Sequence, residues 1–534
     1  MKLSLRKKAV NKKIMENRKI TEENHTFNYI NINSLNLIPF KDYKNTLFSL
    51  KTGEDKLVYM TTYLENNIEI TDIFSNLFYH ENNSQILSDI EKYFLLYILA
   101  ILDSSVMKKC FPDYDVKENN IIIDKDNLFH LSKKLFQIFF SILFNVKTNE
   151  VQVTVVSLML NFSDNSEDFV DYCLEDIRYM NKLFELTYIN NDKVISEVGC
   201  IFNNIIINKS CDDKKLEEIL KNIPLIQRCK ELISINNFNN TLKGDYLDLL
   251  DTIINKINED DYFYYFIDFI NIFSNILSST PKNEEIFNLI LHICNKLVYD
   301  EKISEEVMKT GLGFIFFNSL STQNLERENL ILLLQIFTNL FCVDEIIKYF
   351  INYNNSQIIP IFIRIINAYL HSANEKDLNI LKEVLNCLSN FASGPDYTQT
   401  IISKSDLPKL VIQIMKIRQD NKIYFAGIQF FQSILDNCNI ETFTTISELH
   451  PFKLYAKGLE KTGIYENIIL CLKCLENLTI KNQQVYNTIE NLKNEFYIYG
   501  IKRKMDELTF HKVEEISTLA IRVLNYFDDK MKTD

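Results

Sequence analysis

Apolar positions recur in helical steps along most of the chain, and at a fixed offset from each step stands a side-chain amide. The amides are Asn161, Asn204, Asn255, Asn295, Asn339, Asn390, Gln432 and Asn477, separated by 43, 51, 40, 44, 51, 42 and 45 residues. Two positions before each one the residue is apolar: Met159, Phe202, Ile253, Ile293, Phe337, Leu388, Phe430 and Leu475. Five positions before stand Val156, Gly199, Leu250, Ile290, Leu334, Leu385, Gly427 and Leu472. A three-residue step keeps these apolar positions on one helical stripe and leaves the amide on its flank, near solvent. One amide per repeat, stacked repeat on repeat, makes a row of donors and acceptors suited to holding an extended peptide by its backbone.

The spacing matches armadillo or HEAT units, which fall at roughly 40–47 residues. It runs from about residue 130 to 525, and the two 51-residue gaps predict short insertions, one around Asn236–Gly244 and one between Asn339 and Asn390. Such units cannot bury their stripes alone, so they are expected to stack into a superhelix with a concave inner face. Loops such as NFSDNSEDF and NFASGPDY follow the amides, which makes the amide helices candidates for the third helix of each unit. The expected organisation is a basic segment over 1–20, a polar linker over 21–45, a helical solenoid over 46–527 and a disordered end over 528–534. Within the solenoid, Tyr93–Leu102 reads as a very apolar helix and 111–127 as a loop.

Composition narrows the class. Gly (10) and Pro (8) are too scarce in 534 residues for a strand-rich fold, and the 46% apolar share excludes disorder. The apolar runs are too short and interrupted to span a bilayer, and the basic N-terminus has no apolar stretch of a secretory signal. Eleven scattered cysteines fit reduced thiols in cytoplasm or nucleus. Residues 1–20 carry eight Lys or Arg against one Glu, +7, so the net charge of −13 leaves −20 on the remainder. A basic tail on an acidic body points to an acidic partner or to folding back on its own body, and disfavours nucleic acid as the main ligand. Cys471-Leu472-Lys473-Cys474 is a lone CxxC, poor ground for a metal without two more ligands. The seven histidines show no paired spacing, and no Gly-rich phosphate loop, nucleophile elbow or HExxH is present. No catalytic, metal or cofactor site is expected.

Several stretches resemble importin alpha, the nuclear-import adaptor. EVLNCLSNFASG (383–394) and VVSLMLNFSDNSEDFV (155–170) are similar to its repeats, and SEEVMKTGLGFIFFNSL (304–320) resembles another, with a Lys309-Thr310-Gly311 turn between helices. MDELTFHKVEEISTLAIRVLNYF (505–527) is similar to the closing repeat. Leu5-Arg6-Lys7 and Arg18-Lys19-Ile20 resemble the end of the importin-beta-binding segment.

The resemblance implies an all-α armadillo-repeat, right-handed superhelical solenoid, present in cytoplasm and nucleus. Its groove would hold lysine-rich cargo peptides, with a major site around Asn161, Asn204 and Asn255 and a minor one around Asn339, Asn390 and Gln432. Asn295 lies between them. Arg6, Lys7, Lys8, Lys12, Lys13, Arg18 and Lys19 would contact importin beta, and an exportin would recycle the adaptor. In that family tryptophans one turn before the amides sandwich lysine stems. This chain has none, and carries Ser157, Cys200, Asp251, Leu291, Gln335, Asn386, Ile428 and Lys473 there. A cation over an aromatic face contributes about 0.5–2 kcal/mol, so losing several lowers affinity steeply. Asn208 replaces a lysine-pairing aspartate, a neutral partner in place of a charged one. Asp251 offers a carboxylate at a former aromatic position. The alternatives are a non-transport armadillo scaffold and a HEAT-type regulatory subunit.

Overall fold

The computed structural model describes residues 149–527, with short breaks at 166, 236–238, 258–264, 280–283, 323–324, 353–356, 373, 419, 437, 462 and 487–488, together with Phe136, Phe139, Phe140, Leu143 and Phe144. The basic segment, the linker, the helices expected before residue 130 and the 528–534 end lie outside the described residues. The chain divides between Asp212 and Asp213 into two compact units.

The first unit holds α1 (Asn149–Asn165), α2 (Glu167–Glu175), α3 (Ile177–Leu186) and α4 (Asp192–Ile207). The second begins with α5 (Asp213–Asn222), α6 (Leu225–Ser234), α7 (Asn240–Lys256), α8 (Ile267–Ser279), α9 (Glu284–Leu297), α10 (Glu301–Lys309), α11 (Leu312–Leu320) and α12 (Arg327–Leu340). It continues with α13 (Asp344–Asn352), α14 (Ile358–Tyr369), α15 (Glu375–Ala392), α16 (Asp396–Ser403), α17 (Leu407–Ile417), α18 (Asn421–Asp436), α19 (Ile440–Ser447) and α20 (Pro451–Lys461). α21 (Tyr465–Tyr486), α22 (Glu490–Ile498), α23 (Ile501–Leu508) and α24 (Glu514–Phe527) complete it.

Two short helices and one longer helix recur, except that one helix, α8, is described between α7 and α9. The longer ones are α1, α4, α7, α9, α12, α15, α18, α21 and α24, and within each unit successive members pack side by side. Every amide of the sequence pattern falls on one of them. The eight residues two positions earlier are all fully buried, and so are the apolar residues five positions earlier. The stripe is therefore the core, at about 1.5–3 kcal/mol for each large apolar side chain buried.

Local chemistry sets the corners. Asp176, Asn191, Asp300, Asn374 and Asn439 cap helix starts, each accepting a backbone N–H. Between first and second helices the chain turns at Gly311 (φ 79°) and, in the last repeat, at Gly500 (φ 65°), a left-handed conformation that a Cβ would strain. The turn anticipated at Lys309-Thr310-Gly311 is thus present. From α12 into α13 the axis swings through 118°.

The long gaps are filled differently from the expectation. Gly244 lies inside α7, so Asn240–Gly244 is the start of an amide helix and not an insertion. Asn255 and Asn390 sit sixteen residues into their helices, counted from Asn240 and Glu375, whereas Asn339 sits thirteen into a helix starting at Arg327. Part of the extra length is an additional turn at the helix N-terminus, where the hydrogen-bond ladder absorbs it at little cost.

Candidate functional site: an amide ladder on the third helices

Each amide lies in the C-terminal half of its helix, and those whose side chains are described sit on the border between the buried stripe and solvent. Asn255 is exposed, while Asn204, Asn295, Asn339, Asn390, Gln432 and Asn477 are half-buried. Asn161 occupies the same register on α1. This is the placement the three-residue step predicts.

The structure adds that many rungs bond to a neighbouring repeat. Asn204 Nδ2 donates to Ser163 Oγ on α1 at 3.0 Å, and Asn295 Nδ2 to Gln335 Oε1 on α12 at 3.1 Å. Asn390 Nδ2 donates to the Thr338 carbonyl at 2.7 Å and meets Cys342 Sγ at 3.3 Å. Asn477 Nδ2 donates to Asp436 Oδ1 at 2.7 Å, and the Gln432 amide donates to the same oxygen. Asn255 turns inward along its own helix, to the Asp251 carbonyl at 2.7 Å and Asp251 Oδ2 at 3.1 Å. Asn339 makes no side-chain hydrogen bond among the described residues. An amide carries two N–H donors, so Asn204, Asn295, Gln432 and Asn477, which make one such bond each, keep a second donor, whereas Asn255 and Asn390 use both.

The positions one turn earlier do not form a uniform row. Ser157 Oγ lies 2.8 and 2.7 Å from the two carboxylate oxygens of Glu197 on the next amide helix. Cys200 is half-buried, and Asp251 is buried. Asn386 donates to Glu383 Oε2 at 3.2 Å, and Lys473 pairs with Glu515 at 3.0 Å. Leu291 and Ile428 are fully buried, so at those two repeats the position serves the core and offers nothing to a ligand. Asn208 is the C-cap of α4, and its Oδ1 accepts the Ser210 N–H at 3.0 Å, which shapes the turn leaving the helix.

Sequence reasoning missed two members of the ladder face. Asn525 on α24 is exposed, with buried Val523 two positions before and buried Ala520 five before, so the same offsets would have found it. Asp436 is the second, four residues after Gln432 and shared by two rungs. Partial burial raises its pKa, while the Asn477 and Gln432 amides and the nearby Lys481 oppose the shift. The CxxC cysteines are core residues: both are fully buried, and desolvation pushes Cys471 up to about 12 and raises Cys474 well above the usual thiol value.

No protein-family model matches the chain, and no characterised protein sequence does. Among solved structures, an engineered protein aligns with 82% of this chain and 98% of its own, at 15% identity and TM-score 0.59. A structure described as "A conserved phosphorylation switch controls the interaction between cadherin and beta-catenin in vitro and in vivo" aligns with 81% of this chain and 77% of its own, at 11% identity and TM-score 0.55. At such identities the likeness is one of fold. The fold is an all-α armadillo-repeat solenoid.

Proposed function

We propose that the chain is a protein-interaction adaptor that holds an extended, lysine-rich peptide along its amide ladder, as a nuclear-import adaptor of the importin-alpha type. The observation that supports this reading is the common register of the rungs: eight amides on third helices, each at the edge of the stripe that builds the core. Carboxylates accompany them on the same helices, namely Glu197, Asp251, Glu383, Asp436 and Glu476, and supply counter-charge for lysines, although Glu476 already pairs with Arg522 at 3.1 Å and Glu383 with Lys382 at 3.3 Å. The basic residues from Arg6 to Lys19 serve importin beta, and an exportin returns the empty adaptor between nucleus and cytoplasm. Catalysis has no part in the proposal.

A second reading has its own support. Leu291 and Ile428 close two of the positions where lysine stems would be held, and several rungs are engaged between repeats. Both facts favour a non-transport scaffold with a different ligand. One titration separates the two. A fluorescent lysine-rich signal peptide is titrated against the full chain and against Asn204→Ala and Asn390→Ala. The adaptor reading expects saturable binding that each substitution weakens about fivefold, the equivalent of one hydrogen bond of about 1 kcal/mol. Binding indifferent to both substitutions would leave the scaffold. Retention of importin beta by the intact chain, lost when Lys7, Lys8, Lys12 and Lys13 become glutamine, tests the tail separately.

A further inference from the structure

Away from the ladder, the second helices of two late repeats carry a lysine face. α20 presents Lys453, Lys457 and Lys461 at four-residue intervals, which puts all three on one side of the helix. Lys453 and Lys457 are exposed and Lys461 is half-buried. None forms an ion pair with a described carboxylate. Lys453 Nζ lies 5.5 Å from the Tyr499 ring centroid and Lys461 Nζ 4.4 Å from that of Tyr424. Lysines elsewhere on this surface commonly meet a glutamate, as Lys215, Lys309, Lys404 and Lys473 do at 3.2, 3.2, 3.1 and 3.0 Å. Desolvation and, after it, the neighbouring Lys457 lower the pKa of Lys461, while Asp420 opposes the shift. The equivalent helix of the preceding repeat, α17, has no acidic residue and exposes Lys409 and Lys416, again without an ion pair. In a chain of net charge −13 such a concentration runs against the average.

Beside the α20 face opens a cleft of about 310 Å³. Ala456, Leu459, Tyr499 and Ile501 give it apolar walls, and Glu460, Arg503, Lys504 and Glu507 line it as well. The two cations are tied to Glu507, at 3.9 and 3.2 Å. The lysines therefore supply the unneutralised charge, and the cleft supplies a socket.

Spacing narrows the ligand. Four residues of helix rise roughly 6 Å. Two residues of an extended chain rise about 6.6 Å, so alternate side chains of a strand fall in step with the lysines. We propose that this face docks an acidic segment of a protein partner in extended conformation, with alternate carboxylates on Lys453, Lys457 and Lys461 and an apolar side chain in the cleft. The apolar walls favour a peptide over a polyphosphate, which has no apolar group to place in the cleft.

The test uses the full chain and two labelled probes, read by fluorescence anisotropy at physiological ionic strength. One is a peptide with glutamate at alternate positions and a central leucine; the other is oligo-dT. The peptide is expected to bind saturably. Lys453→Gln with Lys457→Gln should weaken it about tenfold while the far-UV CD melt stays in place, since both side chains are exposed. Lys457→Gln alone should weaken it severalfold, and Asn390→Ala should leave it unchanged. Equal binding by the double variant, loss with Asn390→Ala, or tighter binding of oligo-dT than of peptide would each overturn the proposal.

Discussion

At the scale of single residues, the amide rungs tie one repeat to the next. Asn390 shows this: its Nδ2 reaches the Thr338 carbonyl at 2.7 Å, joining α15 to α12. Asp436 shows how such ties set electrostatics. Its carboxylate is partly desolvated beneath two amides, and burial outweighs the hydrogen bonds that favour the charged form. The carboxyl is therefore expected to titrate above the ordinary aspartate value of 3.8 in the folded chain. The native state then holds this proton more firmly than the unfolded state. The group's contribution to stability is present at low pH and is lost as pH rises from 3.8 to the raised folded value. Side-chain carboxyl NMR checks the position of the titration. Asn477→Ala or Gln432→Ala removes an opposing hydrogen bond and should move it further upward. A titration at or below 3.8, or a downward move in either variant, would contradict this account.

At the scale of elements, second helices are bound to one another through arginine. Arg364 on α14 donates to the Ser321 carbonyl at 2.6 Å and the Leu320 carbonyl at 2.5 Å, at the C-terminus of α11. Arg418, at the end of α17, does the same for Tyr369 and Leu370 at the end of α14. The last carbonyls of a helix lack partners and carry partial negative charge, so a guanidinium satisfies both needs at once. Arg364→Ala should cost about 1.5–3 kcal/mol, the range for a hydrogen bond to a charged group. Arg364→Lys should recover only part, because an ammonium lacks the planar fork. Urea unfolding read at the second unit measures both, and equal stability of wild type and Arg364→Ala would refute the clamp. These ties were not legible in the sequence, because they depend on how one repeat is rotated against the next. The third helices were legible, since an apolar step of three and a fixed amide offset are local properties. The same locality explains the failures. Ile428 and Leu291 share a register position with Lys473, and only packing decides which of them is core. The extra residues before Asn255 read as an insertion, because nothing in Asn236–Gly244 distinguishes a loop from one more helical turn.

At the scale of the molecule, successive repeats touch mainly their neighbours, so stability is a chain of local terms and not one cooperative sum. The last repeat shows what closes the series. Phe496 on α22 stacks on Phe527 of α24 with centroids 4.1 Å apart, and Phe452 of α20 packs against both, at 6.4 and 6.0 Å. All three rings are essentially inaccessible to solvent, at 1%, 1% and 0% exposure. Phe496→Ala leaves a cavity where two repeats meet and should cost about 3–5 kcal/mol there. In a globular core that loss would be felt everywhere. In a solenoid it should stay close to its origin, because α9 and α12 share no side chain with this cluster. Native-state hydrogen exchange on the full chain makes the distinction. Amides of α20, α22, α23 and α24 should lose protection in Phe496→Ala, while those of α9 and α12 exchange as in the wild type. A uniform loss of protection across the second unit would show that its repeats unfold as one body, and the nearest-neighbour picture would fall.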